Sequence, residues 1–179
     1  GVLGGFLAQY PQTDVTFRDG DQPELIRGMV NGELEVALTY DLMLPRAFAV
    51  EPLLDLPPYI LLPARHLLAK RGAIHLREIA DEPCALLDLP ISQDYFGSVF
   101  ASLGLAPNVR YRTPSMETVR SLVGNGLAYS ILTLPLKVSA TYDGKRIATA
   151  RLRDSVPPVR IAAVHLAEHK PRPIAQAFL

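Results

Sequence analysis

The chain has 179 residues, 49% of them hydrophobic, which is enough to bury a core in one large or two small domains. The 18 basic and 18 acidic residues give a formal net charge of zero, which argues against a face that holds a nucleic-acid backbone. No apolar run approaches the ~20 residues of a membrane span, and the first residues show no secretory leader. The single cysteine, Cys84, excludes an internal disulfide framework, so we expect a cytoplasmic α/β protein with no membrane partner.

Helix and strand patterns alternate along the chain. Apolar residues between Val2 and Tyr10 recur at helical spacing, and Asp21 or Gln22 can cap a second helix, which ends at Gly32. The strands are predicted at 13–18, 34–39, 48–53, 59–63, 84–87, 108–113, 127–134, 147–152 and 159–166. This alternation predicts crossover connections and largely parallel sheets.

Two later helices carry serine caps. Ser92 is the predicted N-cap of a helix that ends at Gly104, and Ser115 is the predicted N-cap of a helix that ends at 124–126. A hydroxyl at either position can accept a hydrogen bond from a first-turn N–H group. Shorter helices are predicted around 76–80 and from Pro173 onward.

The run SMETVRSLVGNGLAYSILTLP, from Ser115 to Pro135, resembles the effector-binding domain of LysR-type transcriptional regulators. In that family a helix reading roughly V..LV..G leads into a strand reading GLG...LP. The matching residues here are Val119, Leu122, Val123, Gly126, Leu127, Leu134 and Pro135. Ala128 departs from the usual glycine. Earlier, YPQTDVTFRDGDQPELIRGMVNGELEVAL resembles the family's first subdomain, with Glu35 where aspartate is common, and EPLLDLPPYILLPARHLLA resembles the exit from it.

The resemblance covers essentially the whole chain and implies a fold. It implies an α/β protein of two Rossmann-like subdomains joined by two crossing strands, similar to a type II periplasmic binding protein. Subdomain I would comprise residues 1–58 and 161–179, and subdomain II residues 59–160. The family's winged helix-turn-helix, its linker helix and the first strand of its effector domain would lie upstream of Gly1.

The sequence gives little support to catalysis or to metal binding. His66, His75, His165 and His169 are scattered, and there is no HExxH motif, phosphate-binding loop or nucleophile elbow. Cys84 lies in an apolar strand, which favours a small core residue over a nucleophile. We therefore predict no catalytic residue, no metal ligand and no cofactor.

Ligand binding has more support. In open α/β sheets, ligands bind beyond the carboxyl ends of strands, where helix N-termini expose unpaired N–H groups. Ser115 is a candidate because it caps a predicted helix. The rings of Tyr40 and Tyr95 either contact a ligand or pack in the core. For Asp21 and Ser92, plain helix capping is the competing interpretation. The predicted ligand-binding residues are Asp21, Gln22, Thr39, Tyr40, Ser92, Gln93 and Ser115.

The leading hypothesis is the effector-sensing and oligomerisation domain of a LysR-type regulator. It is not an enzyme: it would bind a small organic acid or aromatic compound in the cleft between the subdomains, form a homo-dimer or tetramer, and contact DNA only through the missing N-terminal domain. The alternative is a periplasmic solute-binding protein of a transport system, which has the same bilobed architecture. An α/β enzyme is a weaker third hypothesis, because no acid, base or nucleophile group is recognisable.

Overall fold

The computed structural model describes residues 2–169 and 171–178, and for Val2 the backbone alone. Its helices are α1 (Val2–Gln9), α2 (Gln22–Val30), α3 (Pro90–Ser102), α4 (Met116–Gly124) and α5 (Pro173–Gln176). Its strands are β1 (Ala37–Tyr40), β2 (Phe48–Leu56), β3 (Tyr59–Pro63), β4 (Ala73–Ile74), β5 (Pro83–Leu87), β6 (Asn108–Thr113), β7 (Ser130–Leu132), β8 (Ile147–Leu152) and β9 (Val159–Leu166). Short 3-10 helices lie at Leu67–Arg71 and Leu76–Glu78.

The chain divides into two compact units. One comprises Gly1–Leu54 together with Arg160–Leu179, and the other comprises Asp55–Val159. Strands β2 and β9 contain the two points at which the chain passes from one unit to the other.

Both units contain antiparallel strand pairs, so the expectation of largely parallel sheets was wrong. Strand β1 pairs antiparallel with β9, and β3 pairs antiparallel with both β7 and β8. Parallel pairing is found between β4 and β8 and between β5 and β6. Antiparallel neighbours require no crossover helix, so helix–strand alternation along a sequence does not determine how the strands pair.

Two predicted strands are shorter than their apolar runs. In the run 34–39 the paired strand begins only at Ala37, and in the run 127–134 pairing is limited to β7 and to a bridge from Tyr129 to Cys84 of β5. Leu127 and Leu134 are half exposed and lie outside the ladder. An apolar run marks where burial is possible, whereas the length of a strand depends on the partner beside it.

The predicted strand 13–18 is extended but forms no ladder with any described residue. Val15 is 38% exposed and Phe17 is 77% exposed. A cleft of about 600 Å³ is lined by this segment and by residues 32–38, among others. Strand β1 lies at the edge of its described sheet, whose order is β1-β9-β2. The strand prediction failed because a ladder needs a partner, and no described residue pairs with this segment.

Each unit buries one side of a helix against its strands. In the first unit Met29 of α2 packs with Ala37, Phe48 and Val164. In the second, Val119 and Val123 of α4 form the centre of a core. Among the described residues, no helix has the length and apolar character that a membrane span requires.

The end of α4 lies unusually close to the loop that follows β7. A Cβ atom added at Gly124 would lie 2.9 Å from Thr141 Cγ2 and 2.9 Å from Lys145 Cβ. The backbone of α4 can therefore reach this loop only because position 124 has no side chain.

Candidate functional site

The first candidate position is the N-terminus of α2, which begins at a capping box. Glu24 N–H donates to Asp21 Oδ1 at 2.9 Å, and Asp21 N–H donates to Glu24 Oε2 at 3.2 Å. The two residues satisfy each other's first-turn groups, and Pro23 fits the first turn because its missing N–H is not needed there. The Asp21 carboxylate therefore caps the helix, and a ligand would have to compete with Glu24 for it.

Gln22 and Thr39 are brought together at the carboxyl end of β1. The Gln22 side chain is 8% exposed, and its Nε2 donates to the Leu42 carbonyl at 2.9 Å. Thr39, which is 9% exposed, donates from Oγ1 to Gln22 Oε1 at 3.3 Å. Tyr40 follows as the half-buried last residue of β1. Both ends of the Gln22 amide are thus occupied in a buried bridge from α2 to β1.

In the second unit, the other candidate residues gather at one edge of a parallel strand pair. Leu87 of β5 stands beside Thr113 of β6, and Asp88 N–H donates to the Thr113 carbonyl at 2.8 Å. Helix α3 starts just beyond β5 and α4 just beyond β6. Their N-termini therefore share the edge at which open α/β sheets bind ligands.

Ser115 is the N-cap of α4, as the sequence predicted. Its Oγ accepts a hydrogen bond from Thr118 N–H at 3.2 Å. Its own N–H donates to Thr113 Oγ1 at 3.2 Å. The first turn of α4 is therefore closed by a protein side chain, although Ser115 itself is exposed.

Ser92 is not the N-cap of α3, contrary to the prediction. The helix begins at Pro90, and the cap position is Leu89, whose side chain makes no capping hydrogen bond. The proline explains the earlier start, because its fixed φ suits the first helical position. Ser92 is the third residue of the helix and half-buried, and Gln93 is exposed in the next position. The first turn of α3, including the N–H groups of Ile91 and Ser92, is left without a side-chain cap.

Asp88 was missed by the sequence reasoning. It lies between β5 and the cap of α3, and its Oδ1 is covered but has no hydrogen-bond partner in the described chain. Arg112 Nη1 forms an ion pair with this oxygen at 3.6 Å. A buried carboxylate oxygen without a hydrogen bond is costly, so an acceptor is available here for a donor group. An acidic residue directly after an apolar strand and before a helix was the sequence signal.

Tyr95 is a packing residue. It is 9% exposed, its ring lies 5.3 Å from that of Phe96, and its hydroxyl donates to the Pro157 carbonyl at 2.8 Å. Burial raises the pKa of Tyr95 to about 12. The ring of Tyr95 is therefore held in the interior of its unit.

Cys84 lies in the core of the second unit and is fully buried. Burial raises the pKa of the Cys84 thiol to about 11, so the thiol is protonated at neutral pH. Within residues 2–169 and 171–178, no three histidine, cysteine or acidic side chains converge as metal ligands.

Comparison with known proteins places this geometry in a family. The LysR substrate binding domain model matches residues 1–179. The chain is 35% identical to HinK, a LysR family transcriptional regulator from Pseudomonas aeruginosa, with a TM-score of 0.95 over 99% of this chain and 62% of that chain. It is also 35% identical to the C-terminal domain of a probable LysR family transcriptional regulator from Rhodococcus sp. RHA1, with a TM-score of 0.93 over 99% of this chain and 87% of that chain.

A more distant curated relative is also a transcriptional regulator. The HTH-type transcriptional regulator YnfL of Escherichia coli strain K12 is 24% identical over 139 residues, which are 76% of this chain and 47% of YnfL. The chain thus spans about half the length of YnfL and less than two thirds of HinK.

More distant structures share the fold. The effector binding domain of QuiR in complex with shikimate is 19% identical with a TM-score of 0.82, over 99% of this chain and 84% of that one. The BenM effector binding domain with its effector benzoate is 13% identical with a TM-score of 0.83, over 99% of this chain and 80% of that one. The predicted fold class, two α/β subdomains of the type II periplasmic binding protein kind, is confirmed.

Proposed function

This chain belongs to the LysR substrate-binding domain family, and we propose from that premise that it senses a small organic effector for a transcriptional regulator. Membership of a family of transcriptional regulators favours neither of the other two hypotheses, a periplasmic solute-binding protein or an enzyme. In this proposal DNA is contacted by a separate N-terminal module, and the protein works in the cytoplasm. Effector binding changes the balance between conformations of the regulator, which is how a ligand alters a distant function.

The observation that carries the proposal is the uncapped first turn of α3 beside Asp88. The N–H groups of Ile91 and Ser92 favour a carboxylate, because the helix N-terminus has partial positive charge. Asp88 Oδ1 accepts no hydrogen bond from a described residue, although Arg112 forms an ion pair with it, and so favours a hydroxyl or amino group. The effector we infer is therefore a small carboxylic acid that also carries a hydrogen-bond donor. Shikimate, bound by QuiR, has both groups, and benzoate, the effector of BenM, has the carboxylate alone.

The remaining predicted residues have secondary roles in ligand binding in this proposal. Gln93 and Ser115 lie at the same edge as the open turn and are exposed, so they are placed to contact the outer part of a ligand. Asp21, Gln22 and Thr39 already hydrogen-bond within their own unit, and a ligand would replace existing partners there. Tyr40 remains a candidate for contact with an aromatic ring.

We also propose that the chain forms a homo-dimer, or a tetramer built from dimers. The first unit has nine acidic and six basic residues and so a formal charge of −3, whereas the second has nine acidic and twelve basic residues and a charge of +3. Opposite charges favour an antiparallel arrangement in which the first unit of one copy meets the second unit of its partner, used twice by two-fold symmetry.

The site is tested by adding one negative charge to the open turn. Ser92→Asp places a carboxylate among the N–H groups of α3, where it stabilises the helix but repels an anionic ligand. Thr118→Asp is the matched control, because Thr118 is the third residue of α4 as Ser92 is of α3. The readout is calorimetric titration with small carboxylates chosen by a thermal-shift screen that starts from shikimate and benzoate. Thermal melts without ligand check folding.

We expect Ser92→Asp to weaken binding by at least roughly tenfold and Thr118→Asp, whose charge lies at the neighbouring helix N-terminus, to weaken it much less. Asp88→Ala should weaken a hydroxylated carboxylate more than one with no donor. If both aspartate variants bind like the parent, or if the screen yields only neutral or cationic ligands, the assignment to α3 is wrong.

A further inference from the structure

Two Asn-Gly pairs end helices with nearly the same backbone. Asn31 is the C-cap of α2 with φ −77° and ψ −4°, and Asn125 is the C-cap of α4 with φ −78° and ψ −4°. The glycines that follow, Gly32 and Gly126, have φ of +73° and +77°. The backbone therefore gives the two asparagines equal chemistry, and any difference must come from what surrounds them.

Asparagine followed by glycine is prone to deamidation, because glycine has no side chain to hinder attack by its own nitrogen. In this reaction the glycine N forms a bond to the asparagine Cγ and loses its proton to solvent. The Cγ–Nδ2 bond breaks and ammonia leaves. Water then opens the resulting succinimide at either carbonyl, giving an aspartyl or an isoaspartyl residue. No oxidant or enzyme is required.

The side-chain amides of the two residues are held very differently. Asn125 Nδ2 donates to the Ser121 carbonyl at 3.0 Å and to Asp143 Oδ2 at 2.9 Å. Asn31 Nδ2 makes one long hydrogen bond, to Glu33 Oε1 at 3.4 Å. Rotation of the side chain toward the following nitrogen thus breaks two good hydrogen bonds at Asn125 and one weak one at Asn31.

The surroundings of the glycines differ in the same direction. An atom at the Cβ position of Gly32 would meet nothing within 4 Å, whereas one at Gly126 would lie 2.6 Å from an Arg65 guanidinium nitrogen. The glycine N–H donates to the Met29 carbonyl at 3.1 Å in the first case and to the Val123 carbonyl at 2.8 Å in the second. The turn at Gly32 can therefore open into free space, and the turn at Gly126 is covered.

We propose that Asn31 is a site of spontaneous deamidation in the folded protein and that Asn125 is protected. The product carries a new carboxylate at the C-terminus of α2, where the helix dipole disfavours negative charge. An isoaspartyl product also lengthens the main chain at the turn. Modification at this one residue would loosen the helix whose N-terminus holds the Gln22 bridge.

The test is peptide mapping of intact protein incubated at neutral pH and physiological temperature. Trypsin releases Asn31 in the peptide 28–46 and Asn125 in the peptide 121–137, so mass spectrometry follows each separately. We expect conversion at Asn31 to be roughly tenfold faster than at Asn125, which corresponds to about one additional hydrogen bond to be broken. In denaturant the two peptides should convert at similar rates.

Asp143→Ala removes one tether of Asn125 and should speed conversion there without changing Asn31. Glu33→Ala should leave the rate at Asn31 nearly unchanged. Equal rates in the folded protein, or protection of both residues when both react in denaturant, would overturn the proposal. An Asn125 rate that does not respond to Asp143→Ala would overturn the role given to the tether.

Discussion

Replacing Gly124 by alanine tests how closely α4 is held against the loop after β7. The added methyl group would lie 2.9 Å from both Thr141 Cγ2 and Lys145 Cβ, closer than carbon atoms pack. Overpacking of this kind costs about 1–3 kcal/mol, and the better helix propensity of alanine returns at most ~1 kcal/mol. We expect a net loss of about 1–2 kcal/mol in the free energy of unfolding.

Gly97→Ala is the matched control in the same unit. Gly97 lies inside α3, and a Cβ atom there would meet nothing within 4 Å. This variant gains helix propensity without a clash, so it should stabilise the protein by up to ~1 kcal/mol.

The assay is urea unfolding, compared as shifts of the midpoint at unchanged slope. The two variants should move the midpoint in opposite directions. If Gly124→Ala were neutral, or stabilised the protein as Gly97→Ala does, the loop would be yielding to the methyl group, and the close contact would not be a constraint on the position of α4.

Ser115→Ala should cost about 1 kcal/mol in melts because it removes a capping hydrogen bond, whereas Ser92→Ala should cost little because Ser92 caps nothing. Cys84 should react slowly with a thiol reagent in the folded protein and rapidly after unfolding; fast labelling of folded protein would contradict its burial. The hydrogen bond from Arg172 lowers the pKa of Glu35 below its usual 4.5, so this pair adds stability above that pH and loses it as the pH falls through the lowered value. Glu35→Gln should flatten this acid limb of a stability–pH curve, and an unchanged limb would refute the assignment. Light scattering should give a dimer or larger at tens of micromolar protein.

Helix caps were predictable where the capping chemistry is local. Asp21 and Ser115 accept hydrogen bonds from N–H groups three residues along the chain, and such bonds depend on little else. Ser92 was misassigned because two local signals competed, and the fixed φ of Pro90 determined where α3 begins. The family resemblance predicted the fold class correctly. The alternation of helices and strands did not predict the directions in which the strands pair.

The rest depended on contacts that are distant in sequence. Residues 13–18 have a strand pattern, yet pairing is a property of two segments, and no second segment among the described residues pairs with them. The position of Asp88 between an apolar strand and a helix is readable in the sequence, whereas the burial of its Oδ1 and its ion pair with Arg112 of β6 are visible only in the structure. From the sequence Tyr95 could either contact a ligand or pack in the core. It packs, because its hydroxyl donates a hydrogen bond to the Pro157 carbonyl, 62 residues along the chain.

The segment 13–18, which is in no ladder with a described residue, and β1, which lies at the edge of its described sheet, line the same cleft. Strands of other molecules can pair with an exposed sheet edge, and Phe17 adds an exposed apolar side chain beside this one. We therefore expect an added strand to pair at this edge, beside the Arg18–Glu33 ion pair. A short synthetic peptide of alternating valine and threonine that pairs there should raise the melting temperature, and an unchanged melting temperature would contradict this expectation.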